Sequence, residues 1–213
     1  MSFQWIFDNA QTLSINKRPV VSQTISRDQR VRSVSRGGAV WRFTIKMPDG
    51  MRWTNVRGYI EGIDNNNLLT PATVNLGKAA YNYIVGYRGD ATVYNTMTAK
   101  YTTAQAASDT TKFELGNMPG SAGLVLFRAG DLIQPTGGTF VYSVVADVVR
   151  GAGSTQLVQV NRPILNTPGP TAVTLKVGSA VEWSVICTSC PQWSLIQNDM
   201  VGWNGDFQFQ EVL

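Results

Sequence analysis

Apolar and polar residues alternate with period two through much of the chain, the pattern of strands that bury one face and wet the other. Trp41, Phe43, Ile45 and Met47 fall on one side and Arg42, Thr44 and Lys46 on the opposite side, so this strand has to cover a core with its aromatic face. Val21, Gln23 and Ile25 alternate with Ser22, Thr24 and Ser26, which predicts a half-buried strand with a small, hydroxylated outer face. Residues 3–7 and 12–15 read as edge strands ahead of Lys17-Arg18-Pro19. The period changes after Pro48-Asp49-Gly50. Trp53, Val56, Ile60 and Ile63 recur at helical spacing, predicting a helix over 51–64 that Asp49 is placed to cap and Asn65-Asn66-Asn67 ends. Gly58 and Gly62 each cost ~1 kcal/mol against Ala there, and their four-residue spacing predicts close approach to a sheet. Extended structure returns at 73–76.

Residues 122–165 carry the densest agreement between alternation and turn chemistry. A short apolar run, 124–127, stops at Ala129-Gly130-Asp131, where Gly takes positive φ without steric cost and Asp bonds the turn backbone. Residues 140–149 then alternate with both faces largely apolar, which predicts one central, buried strand. Gly151-Ala152-Gly153-Ser154 reverses the chain into Leu157, Val158 and Val160, and Pro163 removes a donor and ends the pairing. Three strands of one meander are expected. Before this stretch lie a tyrosine-rich segment (Tyr81, Tyr83, Tyr87, Tyr94, Tyr101) of irregular strands and a small, polar linker at 102–111. After it, Asn166-Thr167-Pro168-Gly169-Pro170 is the strongest breaker in the chain. Val173 and Leu175, a Val177-Gly178 turn, a strand at 181–186 and a final apolar strand through Phe207 and Phe209 complete the pattern.

The order of strand, AGDLI, loop, VY-x-V, glycine-rich turn, amphipathic strand and RPIL resembles the inserted barrel of a siphophage distal tail protein, in its short form. The resemblance covers the general layout and is most specific over 122–165. It implies a mainly β protein: a β-sandwich ring domain with one helix, here 1–90 plus 166–213, carrying an inserted oligonucleotide/oligosaccharide-binding (OB)-like small barrel, here 91–165. It also implies a structural virion protein made in the host cytoplasm, a homohexameric ring in the tail tip. Its expected partners are copies of itself, the tail tube protein, the baseplate hub or tail tip protein, and tail fibre or collar proteins at the inserted barrel.

Composition narrows the chemistry. The 213 residues contain no histidine, which removes Ser-His-Asp and Cys-His nucleophiles, HExxH zinc sites and histidine general bases. The 14 acids are scattered without DxD or ExxE clustering. No catalytic, cofactor-binding or metal-binding set emerges, and a non-enzymatic protein without cofactors is expected. No apolar run reaches the ~18 residues of a membrane span, and the first residues lack the pattern of a signal peptide, so a soluble chain that is not exported is expected.

Smaller motifs weigh little. Cys187-Thr188-Ser189-Cys190 has CxxC spacing, but zinc needs two further ligands and a redox pair normally opens a helix, whereas this one ends a strand before Pro191. Arg88-Gly89-Asp90 is explained by a tight turn. Gly151-Ala152-Gly153 lacks the third glycine and the strand-to-helix setting of a phosphate loop.

Charge is uneven. Ten of the 18 basic residues (Lys17, Arg18, Arg27, Arg30, Arg32, Arg36, Arg42, Lys46, Arg52 and Arg57) precede residue 58, against Asp8, Asp28 and Asp49. Three readings stand: contact with nucleic acid, a solvated strand face, or an electrostatic seam with a neighbouring subunit, for which Arg27, Arg30, Arg32 and Arg36 are the candidates. Nucleic-acid contact through an inserted OB-like barrel asks for basic and aromatic residues on the barrel, and here the basic residues lie elsewhere, so no specific nucleic-acid binding is expected. Two alternatives to the tail protein remain, a carbohydrate-binding β module using the 81–101 tyrosines as an aromatic platform and a single-stranded nucleic-acid-binding module with steeply salt-dependent affinity.

Overall fold

Phe3, Ile6 and Phe7 recur at three- and four-residue spacing, and the first element is a helix, α1 (Gln4–Asp8), where an edge strand was expected. Gln4 Nε2 donates to Asp8 Oδ1 at 2.9 Å across one turn, and the Asn9 amide closes the end on the Trp5 carbonyl. The computed structural model describes residues 3–18, 21–25, 31–35, 39–65, 70–77, 84, 94–101, 109–165 and 171–212. They make a mainly β chain of antiparallel sheets with two α-helices among them. The chain divides into two units, Met1–Val74 with Ser184–Leu213, and Asn75–Trp183. The expected breaks stood at 90/91 and 165/166; the units change over at 74/75 and 183/184.

In the first unit, α1 is followed by β1 (Thr12–Asn16), β2 (Val21–Ile25), β3 (Val31–Ser35), β4 (Arg42–Lys46), β5 (Met51–Arg52), α2 (Trp53–Asp64) and β6 (Ala72–Asn75). The second contains β7 (Thr98–Lys100), β8 (Lys112–Gly116), β9 (Val125–Phe127), β10 (Leu132–Pro135), β11 (Tyr142–Ser143), β12 (Val148–Val149), β13 (Gln156–Gln159) and β14 (Val173–Val177). The chain then returns through β15 (Glu182–Ser189), β16 (Gln192–Ile196), β17 (Met200–Asn204) and β18 (Phe207–Glu211) to the first unit.

A five-stranded sheet in the order β1-β4-β18-β15-β6 carries the first unit's main core. The alternation along β4 is kept: Trp41, Phe43, Ile45 and Met47 are buried, and Arg42 and Lys46 are exposed. Phe7 meets Phe43 edge-on at 5.4 Å and lies 5.2 Å from Phe209, which stacks on Phe207. These rings turn the α1 spacing into packing, each burying enough apolar surface to contribute about 1.5–3 kcal/mol.

Helix α2 begins at Trp53, two residues later than expected, because Met51 and Arg52 pair with β17. Its apolar stripe is the predicted one, with Val56, Ile60 and Ile63 buried. Asp49 is not its cap. The capping position is Arg52, the Trp53 amide is satisfied by the Asp199 carbonyl at 2.8 Å, and Asp49 Oδ1 accepts from the Trp203 amide at 3.0 Å. Nor does Gly58 let a sheet approach, since a Cβ placed there meets nothing within 4 Å. A second, three-stranded sheet, β16-β17-β5, packs beside this helix through Val201, with Trp53 stacked on Trp193 at 4.8 Å.

The second unit is built on a six-stranded sheet in the order β11-β10-β14-β7-β8-β13. Its two edges meet. Val144, just beyond β11, forms an antiparallel bridge with Val160, just beyond β13. The Val145 amide donates to the Gln159 carbonyl and the Asn161 amide to the Ser143 carbonyl, both at 3.0 Å. The sheet therefore curls back on itself around Ile133, Phe113, Leu115, Val158, Leu175 and Val177, all buried. Strand β14, expected to belong with the C-terminal segment, pairs with β10 and β7 in this unit.

The organising stretch, 122–165, departs from its expected form. Residues 140–149 are two short pieces, not one central strand. Tyr142 and Ser143 pair with β10 at one edge of the six-stranded sheet, whereas Val148 and Val149 pair with β9. Between them Val145, Ala146 and Asp147 are exposed, and Asp147 Oδ1 accepts from the Ala129 amide at 2.9 Å. The two ends of the apolar alternation serve different partners, so the expected regular meander is reduced: this stretch meets the 157–160 segment at the Val144–Val160 bridge, and β13 makes its ladder with β8. The turn chemistry does hold: Gly130 has φ +97° and the Arg128 amide donates to Asp131 Oδ2 at 2.6 Å.

Candidate functional site

Of the four candidate interface arginines, Arg32 lies on β3, opposite Thr24 on β2 in the antiparallel register. Arg27, Arg30 and Arg36 fall outside the described residues, as does the Arg88-Gly89-Asp90 turn. Among the described residues, β2 and β3 form a two-stranded ladder that joins no other sheet. A two-stranded ribbon is marginal by itself in water, so a third surface is what would secure it.

The remaining N-terminal cations have defined places. Register across the five-stranded sheet sets Asn16 beside Arg42 and Gln210, Ser14 beside Thr44 and Gln208, and Thr12 beside Lys46. These rows form the outer face of the β1, β4 and β18 part of the sheet; they hold amides, hydroxyls and two exposed cations, and Ile186 of β15 continues the Gln210 row. Lys17 sits over the Trp41 ring with Nζ 5.4 Å from its centroid, and burial pushes its pKa down.

Two tyrosines of the 81–101 segment are described in full and neither offers a platform. Tyr94 is fully buried and its hydroxyl donates to the Leu126 carbonyl at 2.6 Å, while Tyr101 packs against the core of the second unit. Tyr81, Tyr83 and Tyr87 lie outside the described residues. The same unit has a groove of about 330 Å³ whose lining includes Thr98, Lys100, Glu114, Leu115, Asn117 and Thr155, with a 2.9 Å ion pair between Lys100 and Glu114. Among the described residues, no aromatic ring lines it. The 151–153 glycines form a turn in which the Gly151 amide donates to Gln156 Oε1.

The two cysteines stand at the end of β15. Cys187, on β15, is buried and Cys190 is half-buried. A bulge separates Cys187, which pairs with Phe209, from Ser189, which pairs with the neighbouring Gln208, leaving Thr188 as the extra residue. The Cys187 thiol donates to the Ser189 carbonyl at 3.3 Å, and the Cys190 thiol faces the Pro191 carbonyl at 3.9 Å. The neighbouring Cys190 thiol and burial push the Cys187 pKa above the usual thiol range. The sequence places this pair at a strand end, and there it lies; the bulge between Cys187 and Ser189 has no residue signature. Among the described residues, no three of Cys, Asp or Glu converge as a metal site, and no helix is long and apolar enough to cross a membrane.

Comparison with models of known families finds no match to this chain, and no curated protein matches it in sequence.

Proposed function

We propose that this chain is a structural subunit of a phage tail, a distal tail protein whose copies close a ring between the tail tube and the tail tip. The observation that supports the reading is the curling of the six-stranded sheet, whose edge segments are bridged at Val144 and Val160, in a unit inserted between two halves of another. An OB-like barrel needs a curled, closed sheet, and a distal tail protein of this form carries one as an insertion. The first unit is then the ring-forming sandwich domain, and the inserted barrel faces fibre or collar proteins.

The subunit acts through geometry, without catalysis or a cofactor. Ring closure uses head-to-tail contacts, in which two different surfaces of each copy meet. Arg27, Arg30, Arg32 and Arg36 are the proposed seam, because guanidinium groups pair bidentately with carboxylates while their stems pack on apolar surface. Negative-stain microscopy and sedimentation of the purified protein test the reading. Sixfold rings are expected, weakened by Arg32→Ala with Arg36→Ala at unchanged melting temperature. A protein that stays monomeric at every concentration, alone and with tail tube protein, overturns it.

A further inference from the structure

We propose that Asn204 is a site of covalent self-modification, at which the backbone nitrogen of Gly205 attacks the side-chain amide and an acid results. The proposal does not depend on the tail reading. Asn204 ends β17, opposite Gln192 of β16, and Gly205 begins the bend that leads into β18; both residues are exposed. Gly205 has φ +121°, where a side chain is costly, so the bend itself calls for glycine directly after Asn204. Its nitrogen has no Cβ to shield it. Among the described residues, no hydrogen bond holds the Asn204 carboxamide or the Gly205 amide, whereas the Trp203 amide is fixed on Asp49 Oδ1 at 3.0 Å. The chain is anchored just before the reactive pair and free at it. Rotation about the Asn204 Cα–C bond brings the Gly205 nitrogen to Cγ, and it disturbs only the last rung of the β16–β17 ladder. Asn117 and Asn198 are exposed as well, but Met118 and Asp199 follow them, and a Cβ stands beside the nitrogen that would have to attack.

The chemistry needs only water and a base in solution. The base takes the Gly205 amide proton, the nitrogen bonds to Asn204 Cγ, and the bond from Cγ to the side-chain nitrogen breaks. That nitrogen leaves as ammonia. Water then opens the resulting succinimide at either of its carbonyls, giving aspartate by one route and isoaspartate, with the main chain running through the former side chain, by the other. In sum an amide and a water become an acid and ammonia, and nothing is oxidised. The new carboxylate joins a turn in which Asp206 is already exposed and Asp49 already bonds the Trp203 amide. Isoaspartate also lengthens the link between β17, of the three-stranded sheet, and β18, of the five-stranded sheet.

The test holds the folded full chain in mildly alkaline buffer made with heavy-oxygen water, below its melting temperature, then digests it and sequences the peptides by mass spectrometry. The expected result is complete loss of the Asn204 amide over a time in which Asn117 and Asn198 keep theirs, with one heavy oxygen in the new acid and isoaspartate among the products. Isoaspartate is the mark of attack by the Gly205 nitrogen. Asn204→Gln, whose longer side chain cannot close the same ring, should give no acid and no isoaspartate in this peptide. Folded wild-type protein that keeps the Asn204 amide as long as those of Asn117 and Asn198 overturns the proposal. So does conversion to aspartate alone, which is direct hydrolysis, or conversion seen only in denaturant.

Discussion

Tyr142 and Leu165 exchange two hydrogen bonds: the tyrosine hydroxyl donates to the Leu165 carbonyl at 2.8 Å and accepts from the Leu165 amide at 2.9 Å. One phenol thus bonds both backbone groups of the residue that ends the 122–165 stretch. Tyr142→Phe keeps the ring, its 5.1 Å edge contact with Phe113 and its place beside Arg162. Only the hydroxyl goes. Destabilisation of about 1–2 kcal/mol is expected in denaturant titration, at the lower end for a lost pair because Leu165 can take water instead.

Gln134 holds a second joint of the same unit. It is 3% exposed, its Nε2 donates to the carbonyls of Glu182 and Gly138, and its Oε1 accepts from the Glu182 amide. Gln134→Leu leaves the amide and carbonyl of Glu182 without this partner. A loss of roughly 2–4 kcal/mol is expected by thermal and chemical unfolding, since each stranded backbone group costs about 1–3 kcal/mol. The 2.7 Å pair of Lys176 with Glu182 is partly exposed and its removal by Lys176→Met should cost under about 1 kcal/mol.

Gly58 offers a change in the other direction. It lies in the interior of α2, is exposed, and a Cβ there meets nothing within 4 Å. Gly58→Ala should stabilise the first unit by about 0.5–1 kcal/mol through lower unfolded-state entropy. A lower melting temperature would mean that something packs on this helix face in solution.

Asp109 gives the expected pH response. Bonds from the Thr111 hydroxyl, Lys112 and the Thr111 amide hold its carboxyl down at about 2, below its usual 3.8. A depressed folded-state pKa contributes stability that is complete above the unfolded value and is lost as pH falls through the folded one. The contribution of Asp109 should therefore fade between about pH 4 and pH 2. Asp109→Asn should lack that part of the acid slope, and the two proteins' melting temperatures should converge at the acid end. A carboxyl resonance titrating near its ordinary value would contradict the assignment.

Legibility in the sequence followed how locally each feature is determined. Strand β4 and the α2 stripe could be read because their periods are set by the solvent and core faces of single elements. Helix α1 was readable too, through Phe3, Ile6 and Phe7, but five residues also suit a short strand. The 140–149 stretch misled because alternation reports burial and says nothing of the partner; Tyr142 and Val148 turn out to pair with different strands. The Val144–Val160 closure and the Cys187 bulge are long-range pairings, and no residue type marks either. For the candidate seam, the sequence offered four arginines, and the described structure adds the strand and register of Arg32 alone.

The position of β18 orders events in time. It lies between β4 and β15, pairing Phe209 with Phe43 on one side and Cys187 on the other, and so bridges strands from both ends of the chain. Strand β4 must therefore wait, unpaired on this edge, while the ribosome makes the whole of the second unit. That unit has its own buried cluster and meets no such delay, so during vectorial synthesis it can fold first, with β4 and its row of aromatic side chains the exposed surface that a chaperone would cover until β18 emerges.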